Sequence, residues 1–273
     1  MNMVKLWTRN FRLGILASAM GTLGSIVGGF ALAFLVFDET GSTLASALIV
    51  AIQLVPYLLL PILIAPLMDR LPRKAFLVAG DVANAILLAG MGIWLLFFEF
   101  SYVGYLAVSL LLSCLGATDE LAFTSIYPEL IPKGAEQKGY AVSSMLYPVL
   151  KVIMTPLAAV LLDAIGVAWI LIAQSILSLA AAITESFIHA EKTKQERNMP
   201  YSLRAWGEDI LEAVRYLKKE RGLRSIFGYM AVTNGVSDGF SPILVAFFRT
   251  FPGFTAAMYS AFSVVEFVGR TIG

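Results

Sequence analysis

Charge is scarce in this chain: Asp, Glu, Lys and Arg make up 14% of 273 residues, where a soluble globular domain carries about 25%. With 58% hydrophobic residues and a mean hydropathy of +0.79, that scarcity excludes a soluble domain and implies an all-α polytopic membrane protein. Cysteine and histidine occur once each, as Cys114 and His189. A disulfide framework is thereby excluded, and a conventional zinc site has too few ligands. Neither residue has the partners that a nucleophile or base requires, so the pattern does not fit a membrane enzyme, and no cofactor is expected. A net charge of +1 gives no basic excess for nucleic acid.

Long apolar runs take the place of charge. A bilayer-spanning helix needs about 20 residues, and runs of that order extend over Phe11 to Phe37, Leu44 to Met68, Ala75 to Phe97, Val103 to Ile126, Tyr140 to Leu162, Val167 to Ile188 and Leu223 to Phe248. An eighth begins at Thr255. The links between them alternate in charge. Three bases lie in the N-terminal arm, three after the second run, two at Lys133 and Lys138, and nine between Glu191 and Arg224, which is seventeen of the twenty. The opposite turns carry Asp38, Glu39, Glu99 and Asp163, with Arg249 as their one base. Lys- and Arg-rich short loops stay in the cytoplasm. A cytoplasmic N-terminus follows, and the apolar run behind it is too long for a cleaved signal.

Three segments are expected: six transmembrane helices over residues 1–189, a cytoplasmic linker over 190–222, and two further helices, the second incomplete, over 223–273. Within the linker Leu203, Trp206, Ile210, Val214 and Leu217 recur every three or four residues, which predicts an amphipathic helix along the membrane interface that ends at Gly222. The first run carries Gly14, Ser18, Gly21, Ser25, Gly28 and Gly29 on a small-residue face suited to close helix packing or to a cavity wall. Pro56, Pro61, Pro148 and Pro156 permit bends.

Ionisable side chains inside spans mark functional candidates, because water is the cheaper place for them. Those candidates are Asp119, Glu120, Lys151, Asp238, Glu266 and Arg270. Asp119 and Lys151 lie at comparable depth, so a carboxylate of the fourth helix is expected to pair with Lys151 and to couple protonation to movement. A permanent ion pair that only fixes packing is the alternative. Glu266 and Arg270 can pair along one helix. Asp238, among Gly235, Gly239 and Asn234, has no local base and is a cavity candidate. Tyr147, near Lys151, is a candidate for the wall of a pocket that takes amphipathic organic molecules. Glu185 and His189, at a helix end, are expected to reach water.

The link after the second run reads Ala65-Pro-Leu-Met-Asp69-Arg70-Leu-Pro72-Arg73-Lys74. It resembles the Gly-x-x-x-Asp-Arg-x-Gly-Arg-Arg/Lys loop of the major facilitator superfamily, with Ala65 and Pro72 where glycines are usual. Asp81, the Tyr127 to Pro132 run and the Phe37 to Ser42 turn look like the branch that contains macrolide and siderophore exporters. The resemblance implies a secondary transporter in the plasma membrane, with a small molecule and protons as partners and the lipid bilayer as solvent. It also implies that Asp69, Arg70, Arg73, Lys74 and Asp81 form a cytoplasmic gate. Antiporters of the family often carry Gly-Pro-x-x-Gly-Gly in helix five; here Thr155-Pro156-Leu157-Ala158-Ala159-Val160 keeps only the proline. Transporters of this kind have two six-helix halves, and the chain supplies one half plus two helices. The expectation is either a truncated or split product, a non-transporting fragment, or a chain completed by another polypeptide.

Overall fold

The computed structural model describes residues 6–68, 72–189 and 203–272, with side chains at 203–205, 213, 237, 238, 241, 242 and 267–272 outside that description. Asp69 and Arg70 therefore lie outside the described residues, as does 190–202. Every described element is a helix: α1 Arg9–Thr40, α2 Thr43–Met68, α3 Arg73–Phe97, α4 Tyr102–Leu130, α5 Glu136–Ser186, α6 Leu203–Lys219, α7 Arg221–Thr250 and α8 Ala256–Ile272. Helices α1 to α5 are long and apolar enough to cross a membrane. The fifth and sixth apolar runs form the two arms of α5, which breaks at Gly166 (φ 76°, ψ 171°). Only glycine adopts that backbone without strain, and it reverses the chain between 136–165 and 167–186. The last two runs form α7 and α8, of 30 and 17 residues.

Local chemistry sets the ends. Thr8 Oγ1 accepts the Phe11 amide at 3.3 Å and caps α1. Gly41, at φ 61°, closes α1 with its N–H on the Phe37 carbonyl at 2.8 Å. Ser101 caps α4 through the Gly104 amide. The amphipathic helix stops at Lys219, before the expected Gly222, because Glu220 is already extended and Gly222 lies in the first turn of α7.

α5 is the centre of the bundle, packing on α1, α3 and α8, while α4 packs on α2 and α3. The small face of α1 makes room for the Gln174 side chain of α5. A methyl on Gly28 would overlap Oε1 of Gln174, and one on Gly24 would lie 2.9 Å from Cγ of Gln174. The opposite faces of the spans expose Leu58, Ile86, Ile176 and Ile183, as lipid requires and water would penalise. On α6, Trp206, Ile210 and Val214 are half-buried and Glu208, Glu212 and Arg215 are exposed; the Trp206 Nε1–H donates to the Leu63 carbonyl of α2 at 2.8 Å.

Candidate functional site

α1, the first arm of α5, α7 and α8 enclose a cavity of about 530 Å³. That is the size of a site for a drug-sized molecule. α1 contributes Ser25, Gly29, Phe30 and Phe34; α5 contributes Tyr147, Lys151 and Thr155; α7 contributes Val236, Phe240 and Leu244; α8 contributes Tyr259, Ser263 and Glu266. The α1 stripe thus serves two neighbours: Gly24 and Gly28 meet Gln174, while Ser25 and Gly29 face the cavity. A smaller space of about 220 Å³ adjoins it at Gly29 and Ala33 and runs to Gln53 and Tyr105.

Aromatic side chains close one end of the cavity. Phe30 stacks on Phe34 at 4.8 Å, Tyr259 stands 5.7 and 5.4 Å from these rings, and Phe248 lies 5.6 Å from Tyr259. Beyond this layer Arg249 of α7 pairs with Asp38 of α1 at 2.8 Å. The other end is different. Every described side chain of α7 from 221 to 240 is exposed, whereas Val245, Ala246 and Phe248 are buried. The helix touches its neighbours near Thr250 and stands clear of them towards Arg221.

Lys151 has its ammonium 5.7 Å from the centroid of the Tyr147 ring. A cation over an aromatic face in a half-apolar chamber gives a point of attraction for acidic groups amid surfaces that favour hydrophobic ones. Glu266 of α8 supplies an acid to the same cavity. Asp238 belongs to α7 between the lining residues Val236 and Phe240; its side chain, and that of Arg270, lie outside the described residues.

The expected pairing of a helix-four carboxylate with Lys151 is not formed. α4 and α5 approach each other near the end of α4 and the start of α5, where the Tyr127 hydroxyl donates to the Gly139 carbonyl at 2.6 Å, but the bulk of α4 packs on α2 and α3. Asp119 accordingly faces α3, where a methyl on Gly80 would meet its Oδ1 at 3.9 Å. Glu120 is exposed. Asp81 also departs from expectation. It is 9% exposed and joins neither Arg73 nor Lys74. Arg73 instead reaches Glu129 at 2.8 Å and the Ser125 carbonyl at 3.0 Å, and Lys74 donates to the Ser186 carbonyl at 2.5 Å. Glu185, expected in water, is 5% exposed, because the second arm of α5 is covered on that side by α3.

Two contributors escaped the sequence reading. Glu129 holds Arg73 from a position 56 residues away, and its place in the Tyr127 to Pro132 run was the available signal. Asn10 exchanges two hydrogen bonds with the backbone of His189, at 2.7 and 3.2 Å, and ties the start of α1 to the end of α5. No group of three or more His, Cys, Asp or Glu able to hold a metal ion occurs among the described residues.

The family model described as Major Facilitator Superfamily matches residues 13–273. No curated protein and no solved structure matches the chain.

Proposed function

Because the chain belongs to the major facilitator superfamily, a family of secondary transporters, we propose that it exports hydrophobic or amphipathic small molecules by proton-coupled alternating access. The observation that carries this reading is the cavity bounded by α1, α5, α7 and α8, with Lys151 over Tyr147 on one wall and the Phe30, Phe34 and Tyr259 rings at its end. Rings of this kind favour apolar bodies, and a single lysine favours an acidic head, so drug- or siderophore-like amphiphiles fit better than sugars. The seventeen bases on one side support an N-terminus and a 190–222 segment in the cytoplasm, in the plasma membrane. With that orientation the closed end at Arg249 and Asp38 is the outer one, and the arrangement is inward-facing. Asp69, Arg70, Arg73 and Lys74 act at the cytoplasmic end as the gate, with Glu129 as the partner of Arg73.

A second reading is a membrane unit that transports only with another polypeptide against it. The exposure of α7 from 221 to 240 favours it. Proteoliposomes containing the chain, an imposed pH gradient and fluorescent amphiphiles of either charge decide between the two. Dye movement that follows the gradient and stops with a protonophore supports export by the chain itself. No movement of any dye, from a folded and correctly inserted protein, supports the second reading.

A further inference from the structure

Where α3 packs on α4 and on the second arm of α5, each of the three elements carries a carboxylate. Asp81 on α3 and Glu185 on the second arm of α5 are 9% and 5% exposed. Asp119 on α4 turns towards Gly80, the residue before Asp81. Two oxygens in this group, Asp119 Oδ1 and Glu185 Oε2, are wholly buried and have no hydrogen-bond partner. Helix ends explain how they come together: Lys74 at the start of α3 bonds to Ser186, and Asn84 further along α3 bonds to Ser178 at 3.5 Å, so α3 and the second arm of α5 run in register.

Among the described residues no base forms an ion pair with Asp81, Asp119 or Glu185. Lys74 is spent on the Ser186 carbonyl and Arg73 on Glu129 and the Ser125 carbonyl. Arg9 and Arg12, at the start of α1, make no ion pair with it. The remaining titratable neighbours are Glu120, which adds negative charge beside Asp119, and Tyr57 of α2. Three ionised carboxylates in one dry site repel one another and lose their hydration, and a buried carboxylate in that position takes up a proton instead. The orphaned oxygens are the places where such protons reside.

We propose that Asp81, Asp119 and Glu185 form a proton-binding site, separate from the substrate cavity, that holds at least one proton at neutral pH. Coupling through this site rests on the transport reading above; proton occupancy does not. A site outside the cavity lets protonation change the packing of α3 against α4 and α5 without competing with substrate for space. Glu185, one residue before the end of α5 at Ser186, is the member closest to a helix end.

Infrared spectroscopy of the full chain in lipid nanodiscs tests the proposal. The protonated-carboxyl C=O band is expected at neutral pH, should weaken in Asp81→Asn, Asp119→Asn and Glu185→Gln, and should be unchanged in Glu99→Gln, an exposed acid. Should a variant fail to fold, dicyclohexylcarbodiimide on the wild-type chain, which modifies protonated buried carboxyls, is expected to label Asp81, Asp119 or Glu185 by peptide mass. No band, a band indifferent to all three substitutions, or labelling elsewhere alone overturns the proposal. So does a band that vanishes when sodium replaces choline in the buffer, since the site then binds a metal cation. A chain with the band that moves no substrate refutes transport and leaves the proton site standing; movement without the band does the reverse.

Discussion

Arg249 makes two contacts with one helix: its Nη2 donates to Asp38 Oδ2 at 2.8 Å, and its guanidinium carbon lies 4.6 Å from the centroid of the Phe34 ring. Asp38 and Phe34 are four residues apart on α1, one turn, so a single side chain from α7 grips one face of that helix. The contact joins α1 to α7 at the end where the cavity is shut.

Removing that grip is expected to loosen the closed end. The pair is partly exposed, at 29% and 46%, so an ion pair and a cation–π contact of this kind together contribute about 1 kcal/mol, or about a 5-fold shift in a two-state ratio. Arg249→Ala should therefore raise the labelling rate of a cysteine placed at Ser25, applied from the Asp38 side, by about that factor. Asp38→Asn should do less, because the ring contact survives. Equal labelling in all three proteins would mean that the latch holds nothing shut.

Gly28 and Gly21 separate packing from open space on the same helix. A side chain at Gly28 meets Gln174 Oε1, whereas at Gly21 nothing lies within 4 Å. Gly28→Ala must push aside the Gln174 amide, the movable end of a side chain, so it is expected to cost about 1 kcal/mol, the low end of the range for overpacking, and to lower both detergent-solubilised melting temperature and membrane abundance slightly. Gly21→Ala should leave both unchanged or raised slightly, since alanine favours helix. Similar losses at the two sites would disprove the assigned α1 to α5 contact.

Much of this arrangement is legible in the order of residues. The five long apolar helices up to Ser186 follow from apolar length, and Gly166 marks where the two apolar runs of the fifth turn, because a charge at Asp163 and a glycine interrupt the run. Tyr147, Lys151 and Glu266, singled out as polar or aromatic groups at span depth, lie on one cavity. What periodicity lacks is the azimuth of one helix against another. Asp119 could face α5 or α3 with the same spacing, and only the packing of α4 on α3 decides it. Glu185 sits at the end of its run, which suggests water until α3 is seen to cover it. Asp38 and Arg249 are 211 residues apart, beyond the reach of any local pattern.

At the end assigned to the cytoplasm, Arg73 and Glu129 link α3 to α4 at 2.8 Å with side chains 20% and 34% exposed. Single substitutions Arg73→Ala and Glu129→Ala are expected to slow dye export more than they reduce abundance, and the double variant should be no worse than the poorer single one. That non-additivity is the mark of a shared contact. Fully additive losses in export would show that the two residues act separately.

Lys151 carries the most specific consequence of the cavity chemistry. Its ammonium is the cationic group among the described side chains lining that space, where Tyr147 faces it and Phe30, Phe34 and Tyr259 supply apolar surface. A charge-assisted hydrogen bond to a ligand acid contributes about 1.5–3 kcal/mol, which corresponds to at least about tenfold in affinity. Lys151→Met keeps the length of the side chain and removes the charge. It is expected to reduce export of amphiphiles with a carboxylate or sulfonate by about tenfold or more, chiefly through a higher half-saturation concentration, and to leave neutral amphiphiles of the same size within about twofold. Lys151→Arg should restore part of the acidic class. If acidic and neutral substrates fall together, and arginine rescues neither, the lysine serves packing and the preference for acidic amphiphiles has no basis in this cavity.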